Sequence, residues 1–176
     1  MIMSKGVTVW FTGLPCSGKT TIADKLAKVL REKQVKVERL DGDIVRKSLT
    51  RDLGFSKEDR DMNIERITFV AKLLTRNEVT VLATFVSPYI ARRKQTREEI
   101  GDYIEVYVDA SVDECIKRDV KGMYRKALAG EIKNFTGIDD PYEVPPNPEI
   151  TVYTEDETVD ESVQKVYSYL ESNGYL

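Results

Sequence analysis

Hydrophobic positions along this chain follow two alternating patterns: short, nearly continuous apolar runs, and longer segments in which apolar residues recur every three or four positions. Val7 to Thr12 is an apolar and β-branched run, as expected of a central strand in a parallel sheet covered on both faces. Further strands are predicted at Val35 to Leu40, Val79 to Val86, Tyr103 to Val108 and Glu149 to Tyr153. Helical spacing is carried by Ile22, Leu26, Val29 and Leu30, then by Ile64, Ile67, Val70, Ala71 and Leu74, and last by Val163, Val166, Tyr167 and Leu170. Ser111 with Glu114, and Thr158 with Glu161, have the spacing of helix capping boxes. Strands alternating with helices predict an α/β fold, a doubly wound, mainly parallel five-stranded sheet with helices on both faces.

The periodicity fails between about Asp119 and Pro148, where Lys and Gly collect with Pro141, Pro145, Pro146 and Pro148. Such a segment reads either as a mobile lid over a site or as a surface excursion. The 176 residues suit one well-buried core, so a single domain spanning 1–176 is expected.

A net charge of −3 with 41% hydrophobic and 32% charged residues describes a globular protein and gives no footprint for nucleic acid. Met1 to Gly6 shows no basic and apolar leader pattern, and no apolar run reaches membrane-spanning length, so the cytoplasm is the expected compartment. Cys16 and Cys115 lie far apart and lack metal-ligand spacing, which favours free thiols. The chain has no histidine, so acid or base work falls to carboxylates or lysine.

The chemistry starts at Gly13-Leu14-Pro15-Cys16-Ser17-Gly18-Lys19-Thr20, which fits G-x-x-x-x-G-K-[ST] and lies between a predicted strand and a predicted helix. Glycines let the backbone wrap a phosphate with its N–H groups turned inward, and the helix N-terminus adds partial positive charge. Lys19 is expected to reach the β- and γ-phosphates of ATP, and Thr20, with Thr21 beside it in the cradle, to offer a hydroxyl to Mg²⁺. Cys16 is either a thiol activated by the helix N-terminus or a filler at a tolerant position.

This motif alone leaves water or a small molecule as the phosphate acceptor. The chain length and the lack of a guanine-specificity motif favour a small-molecule kinase. The second strand runs into Asp41-Gly42-Asp43 and Arg46, which should face the phosphate loop across the crevice at the strand ends. Asp43 could orient an attacking hydroxyl or reach Mg²⁺ through water; alternatively, Asp41 or Asp43 caps a helix at a solvated turn.

Beyond these motifs, Leu40-Asp41-Gly42-Asp43 with Arg46, Asp52-Leu53-Gly54-Phe55-Ser56, Asp59-Arg60 and Asn63-Ile64 resemble the adenylylsulfate kinase family. Ser87-Pro88-Tyr89, Arg118 to Tyr124 and Gly130 to Glu143 resemble it in the same order, so nearly the whole chain is covered. The resemblance implies transfer of the ATP γ-phosphate to the ribose 3′-hydroxyl of adenylylsulfate. It places Lys19, Asp43 and Ser87 at the catalytic centre. Arg46, Arg60 and Asn63 become ligands for the anionic oxygens of the acceptor, with Asp41 and Asp43 nearby. Phe55 and Phe135 become the plates of an adenine clamp; without the family, both read equally well as core aromatics, and both arginines as surface ion pairs.

The same resemblance makes Arg118 a contact for ATP, and the lid lysines Lys121 and Lys133 contacts that shield the transferring phosphate. It carries a proposed phosphoserine at Ser87, although no general base is evident beside it and a hydrogen-bonding role suits a loose transition state better. Ile90-Ala91-Arg92-Arg93 is less typical of the family, and no role is assigned to Arg92 or Arg93. A homodimer is what the family suggests. Two rival readings remain: another small-molecule kinase of this architecture, and a nucleotide-sensing domain without turnover.

Overall fold

The computed structural model describes residues 5–176; Met1 to Ser4, part of the N-terminal segment read above as lacking a leader, lie outside the described residues. Five strands form one sheet: β1 (Val7–Thr12), β2 (Val37–Asp41), β3 (Thr80–Thr84), β4 (Tyr103–Asp109) and β5 (Ile150–Tyr153). All neighbouring pairs are parallel and the order is β2-β3-β1-β4-β5. β1 is central and all six of its residues are buried, as its unbroken apolar run requires.

Alternation along the strands sends side chains to two cores. Val7, Val9 and Phe11 face one side, where they meet α1 (Lys19–Glu32) and α7 (Val159–Ser172) through Ile22, Leu26, Leu30, Val163, Val166 and Leu170. Trp10 faces the other side with Val81, Ala83 and Phe85, against Ile64, Ile67 and Ala71 of α3 (Lys57–Arg76). The remaining helices are α2 (Gly42–Val45), α4 (Ile90–Ile100), α5 (Val112–Arg118) and α6 (Met123–Leu128). Thr158 and Glu161 form a complete capping box. Ser111 caps α5 through the Glu114 amide, while the Glu114 carboxylate turns to Arg118 instead, 3.0 Å away.

The segment after α5 is not a bare loop. α6 buries Tyr124 and Ala127, and with Phe135, Ile132 and Ile138 they form a third apolar cluster that closes on Leu14 and Cys16 of the phosphate loop. A Cβ at Gly137 would stand 3.0 Å from Leu14, which shows how closely this segment lies over the loop. No helix among the described residues is long and apolar enough to cross a membrane.

Candidate active site

The sequence puts two small residues where the phosphate loop leaves β1, and the backbone needs them. A Cβ on Gly13 would stand 2.5 Å from the Val108 carbonyl, and Gly18, with φ of 109°, begins α1 from a left-handed conformation. Lys19, 8% exposed, folds back over the loop: its Nζ donates to the carbonyls of Gly13 at 2.9 Å and Leu14 at 2.6 Å. Burial pushes this ammonium down to about 8, with the nearby Asp41 and Asp43 offsetting only part of the effect. Pro15, Cys16 and Ser17 form the outer turn of the loop, and Thr21 is exposed on the first turn of α1.

Thr20 is exposed and its Oγ1 donates to Asp41 Oδ2 at 2.9 Å. Asp41 also accepts from Thr84 Oγ1 at 2.8 Å and from the Asp43 amide at 3.0 Å. Burial pushes its carboxyl up, but these three hydrogen bonds together with Arg39 hold it below the usual range. The residue therefore stands as a fixed anion beside the Thr20 hydroxyl. Its capping of α2, the alternative weighed above, is also present. Asp43 projects into the open and pairs with Lys121 of the lid segment.

Across β3 from the phosphate loop lies a second group. Arg46 donates to the carbonyls of Leu53 and Gly54 at 3.3 and 3.0 Å and lies 4.3 Å from the centroid of Phe55, whose ring is 57% exposed. Burial, then the neighbouring charge of Arg60, lowers the Arg46 pKa, and Asp59 offsets only part of this. Arg60 donates to Thr136 Oγ1 at 2.6 Å, to Asp140 Oδ2 at 2.9 Å and to the Asn134 carbonyl, so it ties α3 to the lid segment. Asn63, one turn further along α3, is 6% exposed and its Oδ1 has no hydrogen-bond partner.

Phe135 is placed differently from Phe55. It is 9% exposed and packs edge-on against Tyr124, with ring centroids 4.9 Å apart. This is the core packing weighed as one reading of the ring, in the apolar cluster with Tyr124. Lys133 is exposed. Arg118 holds the outside of the phosphate loop, donating to the carbonyls of Cys16 and Ser17 at 3.4 and 3.2 Å and to Thr154.

Ser87 is buried, at 4% exposure, and has φ of 40°, a conformation that costs a non-glycine residue about 1–3 kcal/mol. Its Oγ accepts from Trp10 Nε1 at 3.0 Å and shares its proton between Thr12 Oγ1 at 3.1 Å and the Phe85 carbonyl at 3.2 Å. With its proton and one lone pair engaged, this hydroxyl holds Trp10 and Thr12 together beside β1. Thr12 donates to the Val86 carbonyl and so accepts from Tyr142 Oη at 2.9 Å.

Sequence reasoning did not single out Thr84, Tyr124, Tyr142 or Thr154. Tyr124 Oη donates to the Pro15 carbonyl at 2.8 Å, and Thr154 Oγ1 to that of Ser17 at 2.7 Å. Thr84 ends β3 and Thr154 follows β5, so the rule that strand ends line the crevice could have found both. Nothing in the local pattern marks the two tyrosines.

This geometry can be set beside known proteins. The family profile described as adenylylsulphate kinase matches residues 5–153. The adenylyl-sulfate kinase of Halothermothrix orenii is 60% identical over 172 residues, covering 98% of this chain and 93% of that protein. A probable adenylyl-sulfate kinase of Pseudomonas aeruginosa is 62% identical over 166 residues, covering 94% of this chain and 78% of its own length. Among solved structures, the Mycobacterium tuberculosis APS kinase CysC in complex with AMPPNP and APS superposes with a TM-score of 0.91 at 42% identity, over 96% of this chain and 99% of that one. A glycine-built phosphate loop facing a cationic, ring-bearing half-site is thus accompanied by likeness over nearly the full length, and the chain belongs to the adenylylsulfate kinase family.

Proposed function

We propose that residues 1–176 act as one kinase domain that transfers the γ-phosphate of ATP to the ribose 3′-hydroxyl of adenylylsulfate, giving 3′-phosphoadenylylsulfate and ADP. The observation that carries this reading is the opposition of two half-sites at the strand ends. One is the loop from Gly13 to Thr20 after β1; the other, beyond β3, collects Asp43, Arg46, Phe55, Arg60 and Asn63. The first suits a nucleotide triphosphate and the second an anion that also carries an aromatic base. The same reading carries a homodimer, taken from the family, working in the cytoplasm, taken from the lack of a leader pattern and of a membrane-spanning run.

In this mechanism the Lys19 ammonium exchanges two loop carbonyls for the β- and γ-phosphate oxygens, a charge-assisted contact in place of neutral ones. Arg118, with Thr154, steadies the loop from outside and borders the nucleotide. Thr20 Oγ1 and the Asp41 carboxylate, held together and both hard oxygen donors, fit a magnesium ion brought in with ATP. A Mg²⁺ bound by these two oxygens would supply charge neutralisation for the transferring phosphoryl group. Asp43 orients the 3′-hydroxyl and releases Lys121 toward the phosphates. Arg46, Arg60 and the orphaned Asn63 bind the phosphosulfate and its neighbours, and the exposed ring of Phe55 stacks on the adenine. Transfer is direct, since Ser87 Oγ is committed to Trp10 and Thr12 and a loose transition state needs no covalent intermediate.

The test is a panel of acceptors. ATP-Mg²⁺ is supplied with adenylylsulfate, AMP, CMP or gluconate, and ADP release is followed. A marked preference for adenylylsulfate is expected; equal or greater turnover with another acceptor contradicts the assignment, and binding of adenylylsulfate without product favours a sensing domain.

A further inference from the structure

Arg93 stands outside the phosphate cradle, yet at 2% exposure it is the least exposed charged residue among those described. Its guanidinium joins three separate parts of the chain. Nη1 donates to the Ser87 carbonyl at 2.5 Å, Nη2 donates to the Glu143 carbonyl at 2.5 Å, and Nε faces Glu105 Oε2 of β4 at 3.6 Å. Glu143 is tied to the same turn a second time, its amide donating to the Pro88 carbonyl at 2.9 Å and its Oε2 accepting from the Ile90 amide at 2.6 Å.

A buried guanidinium must satisfy five N–H donors, and its pairing with Glu105 through Nε leaves the outer nitrogens to choose other partners. Here the two outer nitrogens serve main-chain carbonyls, one on the left-handed Ser87 turn and one where the lid segment returns toward β5. That returning arm reaches the chemistry directly. Tyr142, beside Glu143, bonds Thr12 at the end of β1, and Asp140 accepts from Arg60.

We propose that Arg93 is a positioning residue for phosphoryl transfer: through the Ser87 and Glu143 carbonyls it fixes the acceptor-side wall of the crevice, and with it the stance of Arg60 relative to the phosphate loop. This rests on the kinase reading above. Its two main-chain bonds lie on the Ser87 turn and the returning arm, and its third partner, Glu105, is on β4; the loop's other flank, held by Arg118 and Thr154, shares none of these partners. Loss of Arg93 therefore damages use of the acceptor more than binding of the nucleotide.

Arg93→Met and Arg93→Lys are assayed with each substrate varied in turn, with ADP affinity measured by calorimetry and folding by thermal melting. Arg93→Met is expected to lower kcat/KM for adenylylsulfate by about 10- to 100-fold, the scale of a small misplacement of reacting groups. Its ADP affinity stays within about threefold of the parent chain, as for sites that share no contacts. Arg93→Lys, which can keep one carbonyl, recovers part of the loss. Should Arg93→Met fail to fold, Arg93→Lys and Tyr142→Phe carry the test, the latter removing the bond to Thr12 while leaving Arg93 in place; both must show the same split. Equal losses in acceptor use and ADP affinity, or unchanged acceptor use in the folded variants, overturn the proposal. A parent chain inert toward adenylylsulfate overturns the kinase reading instead.

Discussion

Thr20 donates a hydrogen bond to Asp41 across 2.9 Å, joining the end of the phosphate loop to the end of β2. The two strands concerned are not neighbours, since β3 lies between β1 and β2, and Thr84 at the end of β3 completes the link by bonding the same carboxylate oxygen. Three consecutive strands of the sheet thus converge on one anion at the crevice.

If this carboxylate helps to hold Mg²⁺, Asp41→Asn keeps the shape and loses the charge. The Mg²⁺ concentration for half-maximal activity is expected to rise by about 10- to 100-fold. An unchanged Mg²⁺ requirement in a folded variant would remove Asp41 from the metal side.

Lys19 gives a pH dependence. Its ammonium is lowered to about 8 by burial in the loop, and contact with a triphosphate favours the charged form, so its pKa rises on binding. ATP binding then takes up a proton when the pH is above about 8. Affinity should be greatest below that point and decline above it, at a limit of about tenfold per pH unit. Calorimetry in buffers of different ionisation enthalpy reads the uptake directly. Lys19→Ala abolishes it and lowers turnover by orders of magnitude, whereas turnover equal to the parent chain would contradict the mechanism.

The two phenylalanines separate binding from stability. Phe55 is exposed and backed only by Arg46, so Phe55→Ala should raise the KM for adenylylsulfate with little change in melting temperature. Phe135 is the centre of the lid cluster, so Phe135→Ala should weaken acceptor use and also destabilise the protein by about 3 kcal/mol. Thermal melts of both variants beside initial rates distinguish these effects; a stable Phe135→Ala would deny the cluster its importance.

Much of this architecture was legible because each strand sits in one environment. β1 has the bounds its apolar run announced, since no neighbouring residue competes for that pattern. β2 begins at Val37 and not at Val35, because the Val35 amide closes the end of α1 on the Leu30 carbonyl. β3 stops at Thr84, short of Val86, where the chain leaves the sheet to form the Ser87 turn. The loop, the Asp41 turn and the capping of α7 follow from residue types at fixed spacing.

The lid resisted such reading for a physical reason. α6 is a helix of six residues, too short to display a period, and the segment is otherwise held by irregular contacts, the apolar cluster round Tyr124 and Phe135 and the bonds from Arg60 to Asn134, Thr136 and Asp140. Periodicity reports a face repeated over several turns, and it is silent about contacts made once. Arg93 illustrates the same limit, as one of its partners is the carbonyl of Glu143, far along the chain.

The central claim is most directly tested by the position of the transferred phosphate. The chain is incubated with ATP-Mg²⁺ and adenylylsulfate, and the product is resolved by ³¹P NMR and mass spectrometry. One phosphate is expected on the ribose 3′-oxygen, formed in equal amount with ADP; ADP with only free inorganic phosphate, or a phosphate attached elsewhere, would contradict it.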